Sequence, residues 1–136
     1  MRTPLITLVI TMGVTMLLGA LGAAPLARAA GQAPDSKVCN NSANPPKDTV
    51  TQGGCIAIAR IKGNCQACHV VAGIASGDIA PSLTGVARRI PDKSRLRAQI
   101  QDPTKFNPKT IMPPYGKHEI LTPDEIEKVS EWLWTL

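Results

Sequence analysis

Gly63-Asn64-Cys65-Gln66-Ala67-Cys68-His69 decides how this chain is read. Two thiols separated by two residues can each add to one vinyl group of a haem. The histidine directly after the second thiol then faces the iron, and this spacing is the attachment pattern of c-type haem. Two other chemistries use paired thiols. A thioredoxin-like dithiol sits where a strand turns into a helix, and no strand pattern precedes residue 65. A zinc site needs further thiolate or imidazole ligands, and the only other histidine is His118. The motif therefore predicts one covalent haem c, with Cys65 and Cys68 as its anchors and His69 on the iron.

An iron held by one histidine has a sixth position to fill. Beyond residue 29 the chain contains a single methionine, Met112, in Ile111-Met112-Pro113-Pro114-Tyr115-Gly116. Methionine is commonly core filler, but this segment has no helical period and two prolines stiffen it. A rigid extended loop suits a ligand that must meet iron at a fixed distance, and a thioether raises the reduction potential relative to a second imidazole. Met112 is the expected second ligand, with His118 as its rival.

Working outward, residues 1–29 read as a cleaved signal peptide. Arg2 gives a positive start, Leu5 to Leu21 carry no charge, and Ala27-Arg28-Ala29 offers a small-residue cleavage site. An uncleaved anchor is the competing reading. The mature chain would begin near Ala30, free of the membrane and in the periplasm. Four cysteines then meet an oxidising compartment. With Cys65 and Cys68 assigned to haem, Cys39 and Cys55 are expected to form a disulfide across the Pro45-Pro46 bend. It would tether a 30–49 extension to a 50–136 domain. The net charge of +5 is mild, and no basic stretch with interleaved aromatics points to nucleic acid. Aromatic content of 3% is low for a domain that fills its own core with rings.

The apolar pattern predicts an all-α fold of short helices and long loops around the haem. A first helix is expected over Thr51–Lys62 with Gly63 as its stop, a wrapping loop over 70–91, and a middle helix over Asp92–Gln101 closed by Pro103. Residues 103–121 read as loop. Thr122-Pro123-Asp124-Glu125 then supplies an N-cap, a first-position proline and a third-position glutamate. Ile126, Val129 and Leu133 follow at spacings of three and four. Trp132 and Trp134 read as packing residues.

These features resemble the class I cytochromes c, and more closely the SoxX family, the small monohaem subunits of SoxAX complexes in bacterial sulfur oxidation. The residues that carry the resemblance are 63–69, Gly77-Asp78-Ile79-Ala80-Pro81-Ser82-Leu83, Asn107-Pro108, Met112-Pro113-Pro114-Tyr115-Gly116, Leu121-Thr122 and Glu125 to Leu136. Together they cover roughly residues 50–136. Ala80 stands where the family usually has glycine. The resemblance implies that Pro81 offers its carbonyl to the second nitrogen of His69, fixing the ring.

The resemblance also implies one-electron transfer beside a larger haem-containing SoxA-like subunit. That partner would hold the catalytic cysteine, and a soluble cytochrome c would accept the electrons. Within this chain no catalytic residue is expected, because every sulfur already has a task. A free diffusible carrier is the alternative, and a haem enzyme with an exchangeable sixth site is a third reading. The run Arg88, Arg89, Lys93, Arg95, Arg97 is open to three readings: a solvated helix face, an arginine near Arg88 pairing with a haem propionate, or a docking patch for an acidic partner.

Overall fold

Three capped helices organise the chain, and the caps are local. The computed structural model describes residues 31–136; residues 1–29, expected from sequence to be a signal peptide, lie outside the described residues. Asp48 accepts from the Thr51 amide at 2.7 Å and starts a helix over Thr49–Ile58. Asp92 accepts from the Arg95 amide at 2.7 Å and starts another over Lys93–Gln101. Thr122 and Glu125 form a reciprocal capping box with Pro123 at the first position, opening a helix over Pro123–Leu133. Two four-residue helices, Ser36–Cys39 and Val86–Arg89, complete the set. In chain order the five are α1 (Ser36–Cys39), α2 (Thr49–Ile58), α3 (Val86–Arg89), α4 (Lys93–Gln101) and α5 (Pro123–Leu133). Short 3₁₀ turns occupy Cys65–Ala67 and Pro103–Lys105. Among the described residues the only β pairing is an isolated bridge between His69 and Ala80.

The central contact is the crossing of α2 and α5. Intrinsic propensity does not favour α2, since Gly53 and Gly54 each cost about 1 kcal/mol relative to alanine. Their bareness is what the crossing needs. A Cβ on Gly53 would lie 1.8 Å from the Lys128 carbonyl oxygen, and one on Gly54 would meet Pro34 and Trp132 side-chain atoms at 2.8 and 2.9 Å. Into this approach α5 buries Ile126, Val129, Trp132 and Leu133. Ser130, also buried, returns its hydroxyl to the Ile126 carbonyl at 2.7 Å. Trp132 is fully buried, and its indole N–H donates to the Gln32 carbonyl at 3.1 Å. Both tryptophans pack: Trp134 lies under the Lys93 ammonium, 6.0 Å from the ring centroid.

The boundaries differ from the sequence expectation in physically traceable ways. The first helix starts at Thr49 and ends at Ile58, four residues before Lys62. Ala59 turns to an extended conformation, and Gly63 folds back so closely that a Cβ there would touch Ala57 atoms at 2.8 Å. The wrapping loop contains α3, and the 30–49 segment contains α1, whose Asp35 cap accepts from Lys37. Cys39 and Cys55 are disulfide-bonded with Cα atoms 5.3 Å apart. The bridge joins α1 to α2, and the buried Ala33 strengthens the tether.

Candidate functional site

The thiol motif is mounted on the end of α2. Gly63 and Asn64 amides donate to the Ile56 and Ala59 carbonyls at 3.1 Å each, so the chain reverses as the helix ends. Asn64 takes a left-handed conformation at φ 47°, a region that short polar side chains tolerate. Gln66 sends its amide nitrogen to the Ile58 carbonyl at 2.7 Å, satisfying a helix-end acceptor. One 3₁₀ turn then carries Cys65 to Ala67, and His69 donates its amide to the Cys65 carbonyl at 2.9 Å.

The following loop folds back along this turn. Gly77 and Ala80 amides donate to the Gln66 and Cys68 carbonyls at 2.8 and 3.0 Å, and Leu83 reaches the Val70 carbonyl at 3.0 Å. Gly77 is required at its contact, because a Cβ there would sit 2.3 Å from the Ala67 oxygen. The fold-back brings the Pro81 carbonyl oxygen to 2.6 Å from His69 Nδ1. Ala80 is not among the positive-φ residues, so alanine serves in place of glycine without strain.

The methionine loop hangs from the end of α4. Its orphan carbonyls at Ile100 and Gln101 accept from the Tyr115 amide at 3.2 Å and from the Gly116 and Lys117 amides at 3.2 and 3.0 Å. Met112 is held by its own backbone N–H, which donates to Thr110 Oγ1 at 3.1 Å. The Tyr115 hydroxyl, driven toward its protonated form by burial, donates to the Gly63 carbonyl at 2.6 Å. One tyrosine therefore ties the methionine loop to the thiol loop.

Between the two loops lies a cleft of about 740 Å³. Cys65, Cys68, His69 and Pro81 line it together with Met112, and Leu83, Val86, Leu96, Ile100 and Leu133 supply apolar wall. The volume falls in the range of roughly 300–1,000 Å³ that houses small cofactors. It far exceeds the voids of a packed interior. The residues fit a covalently held, largely apolar macrocycle with one nitrogen and one thioether donor for its metal. They do not fit a redox dithiol: burial pushes the first thiol, Cys65, up to about 11, whereas a reactive cysteine of that kind has its pKa lowered. Nor do they fit zinc, since no group of three metal-ligating side chains exists among the described residues.

Other candidates fall outside the cleft. His118 is exposed and is not part of its lining. Arg88 is exposed as well, and of the adjacent pair it is Arg89 that reaches the wall, donating to the Thr84 carbonyl at 2.8 Å and to the Ser82 carbonyl. The rest of the basic run is engaged within the chain. Lys93 pairs with Glu131 at 2.6 Å, Arg97 bonds Glu127 at 2.7 Å, and the Arg95 guanidinium lies 3.3 Å from the Phe106 ring centroid. This is a helix face braced against α5 and the Pro103–Lys105 turn. Gln99, which sequence reading passed over, sits in the wall with its amide nitrogen 3.9 Å from Met112 Sδ. Its spacing of four from Arg95 was the available signal.

The chain is similar to known proteins. An uncharacterized lipoprotein of Aquifex aeolicus (strain VF5) is 38% identical over 74 residues, which are 53% of this chain and 36% of that protein. The chain thus spans about a third of that relative's length. The family described as cytochrome c oxidase, cbb3-type, subunit III matches residues 57–133, from the last turn of α2 through the end of α5. More than half of the sequence, including both loops and every cleft residue named above, is thereby covered. No helix among the described residues is long and apolar enough to cross a membrane. The chain belongs to this family of cytochrome c-like domains, in which covalently bound haem serves electron transfer.

Proposed function

We propose that the protein is an exported, periplasmic monohaem cytochrome c that passes single electrons, and that it does so as the SoxX-like subunit of a SoxAX-type thiosulfotransferase. The observation that carries the electron-transfer reading is the cleft itself, where Cys65-Gln66-Ala67-Cys68-His69 faces a methionine held by a separate, doubly anchored loop. Cys65 and Cys68 would hold the vinyl carbons as thioethers, and His69 and Met112 would be the two iron ligands. The Pro81 carbonyl, at 2.6 Å, accepts the Nδ1 proton of His69, leaving Nε2 free as the donor and raising its basicity. Haem bound in this way supplies a one-electron couple between ferrous and ferric iron. Leu83, Leu96 and Ile100 exclude water from around it, which sustains a high potential.

The SoxX reading rests on the resembling segments described above, in particular Met112-Pro113-Pro114-Tyr115-Gly116. Under it, oxidative joining of thiosulfate to a carrier-protein cysteine takes place on a larger SoxA-like subunit, and a soluble cytochrome c removes the electrons. Two experiments separate the layers of the proposal. Met112→Ala should keep covalent haem but abolish the near-infrared band of thioether-ligated ferric iron; survival of the band refutes the ligand assignment. Purification of the native protein should yield a larger haem subunit with it. Elution alone, with full electron exchange to a soluble cytochrome, would favour the free carrier.

A further inference from the structure

We infer that Arg95 and Gln99 form a positioning relay that aims the Met112 thioether and draws electron density from it; this rests on Met112 being an iron ligand, as proposed above. Three contacts compose the relay. Gln99 Nε2 lies 3.9 Å from Met112 Sδ, at the long but attractive distance of a sulfur acceptor. Arg95 Nη1 donates to Gln99 Oε1 at 2.9 Å. The Arg95 guanidinium is itself held 3.3 Å from the Phe106 ring centroid.

The order of these contacts fixes the polarity of the amide. A carboxamide can present either its oxygen or its nitrogen to a neighbour, and only the N–H end attracts a sulfur lone pair. A guanidinium has donors alone. Arg95 therefore claims the Gln99 oxygen and leaves the nitrogen facing Met112. The two side chains are four residues apart on α4, the spacing that places them on one face. Lys93 and Arg97, on the same helix, pair with carboxylates of α5; Arg95 alone of the three directs its fork at an amide on the cleft wall. Phe106 stacks against the guanidinium and keeps the fork planar to its target.

Two effects follow for the sulfur. Methionine has three rotatable bonds, and a directional bond from Gln99 narrows the orientations of its lone pairs. A lone pair occupied by an N–H also makes the sulfur a weaker donor, which disfavours ferric iron more than ferrous. The nearby positive charge acts in the same direction.

The test uses the holoprotein and three readouts: an equilibrium redox titration, the near-infrared thioether band, and the proton shift of the ligand methyl group. Gln99→Leu should move the one-electron equilibrium about tenfold toward ferric, equivalent to about 59 mV, and should shift the methyl resonance. Arg95→Lys keeps the charge but loses the planar fork, so it should move the equilibrium several-fold the same way. Combined with Gln99→Leu it should add nothing. An unchanged equilibrium and methyl shift in Gln99→Leu, with the thioether band present, overturns the relay while sparing Met112 ligation. A wild-type equilibrium in Arg95→Lys removes Arg95 from it, even if Gln99→Leu does not fold. Absence of the band from the wild-type protein overturns both the ligand assignment and the relay.

Discussion

Replacing Gly53 by alanine adds one methyl group at the point where α2 and α5 touch. The added Cβ would lie 1.8 Å from the Lys128 oxygen, 2.3 Å from its carbonyl carbon and 2.9 Å from the Val129 nitrogen. All three are backbone atoms, so no rotamer change relieves the clash. Restoring an ordinary separation of about 3.5 Å requires the helices to part by well over 1 Å, roughly enough to forfeit half the dispersion across the contact. Ile126, Val129, Trp132 and Leu133 all lie along it. Overpacking typically costs about 1–3 kcal/mol, and rigid neighbours place this case at the top of that range. Alanine returns about 1 kcal/mol through helix propensity, for a net loss near 2 kcal/mol. In a domain of this size that lowers Tm by about 8–16 °C. Thermal unfolding of the holoprotein, followed by far-ultraviolet circular dichroism, measures it. Gly54→Ala is the comparison: its clashes are with the Pro34 and Trp132 side chains, which can shift, so its loss should be smaller. A Tm for Gly53→Ala at or above wild type, or a larger loss for Gly54→Ala, would refute the close-crossing argument.

Three further outcomes are expected. Cys39→Ser with Cys55→Ser opens a loop of 16 residues and should cost about 3 kcal/mol in urea unfolding, with no loss of covalent haem; unchanged stability would mean the bridge does not close. Tyr115→Phe strands the Gly63 carbonyl and should cost about 1–3 kcal/mol, together with faster amide exchange over residues 111–117; protection equal to wild type would dissociate Tyr115 from the loop. Asp102 is held below the usual carboxylate range chiefly by the Thr104 hydroxyl, with Lys117 adding to the effect against a burial penalty. A depressed folded-state pKa gives stability that is complete above the unfolded value near 4 and is lost as pH falls toward the folded one. Asp102→Asn should therefore flatten the acid limb of stability against pH, and an unaltered limb would count against the assignment.

Local chemistry wrote some elements into the sequence more plainly than others. The capping box at Thr122 and Glu125 was legible because its signal is confined to four consecutive residues, whereas Asp92, read as the first residue of its helix, is the cap before it. The haem motif was legible for the same reason, and Pro81 was reached through family resemblance. Gly53 and Gly54 went unremarked in the sequence, because the partner that makes them necessary is α5, far along the chain. Arg88 and Arg89 are adjacent and both exposed, so the sequence alone does not distinguish Arg89, the one that lines the cleft. Gln99 carried no motif beyond its spacing of four from Arg95; its importance appears once the end of α4 is seen to carry the methionine loop. The two shortest helices lie below the length at which periodicity has meaning.

The cleft described above makes the interior of this protein a shell. Leu83, Val86, Leu96, Ile100 and Leu133 are at most 8% exposed and belong to the hydrophobic core, yet all of them also line the cleft. A cofactor filling the cleft would add contacts to each of them that the polypeptide alone does not supply. Cofactor loading should therefore stabilise the fold, and a chain that misses its cofactor should be the more open to proteolysis. The cellular level of the protein should then follow the supply of haem to the compartment where it matures, rising and falling with no transcriptional control, so that its abundance is a ledger of haem delivery.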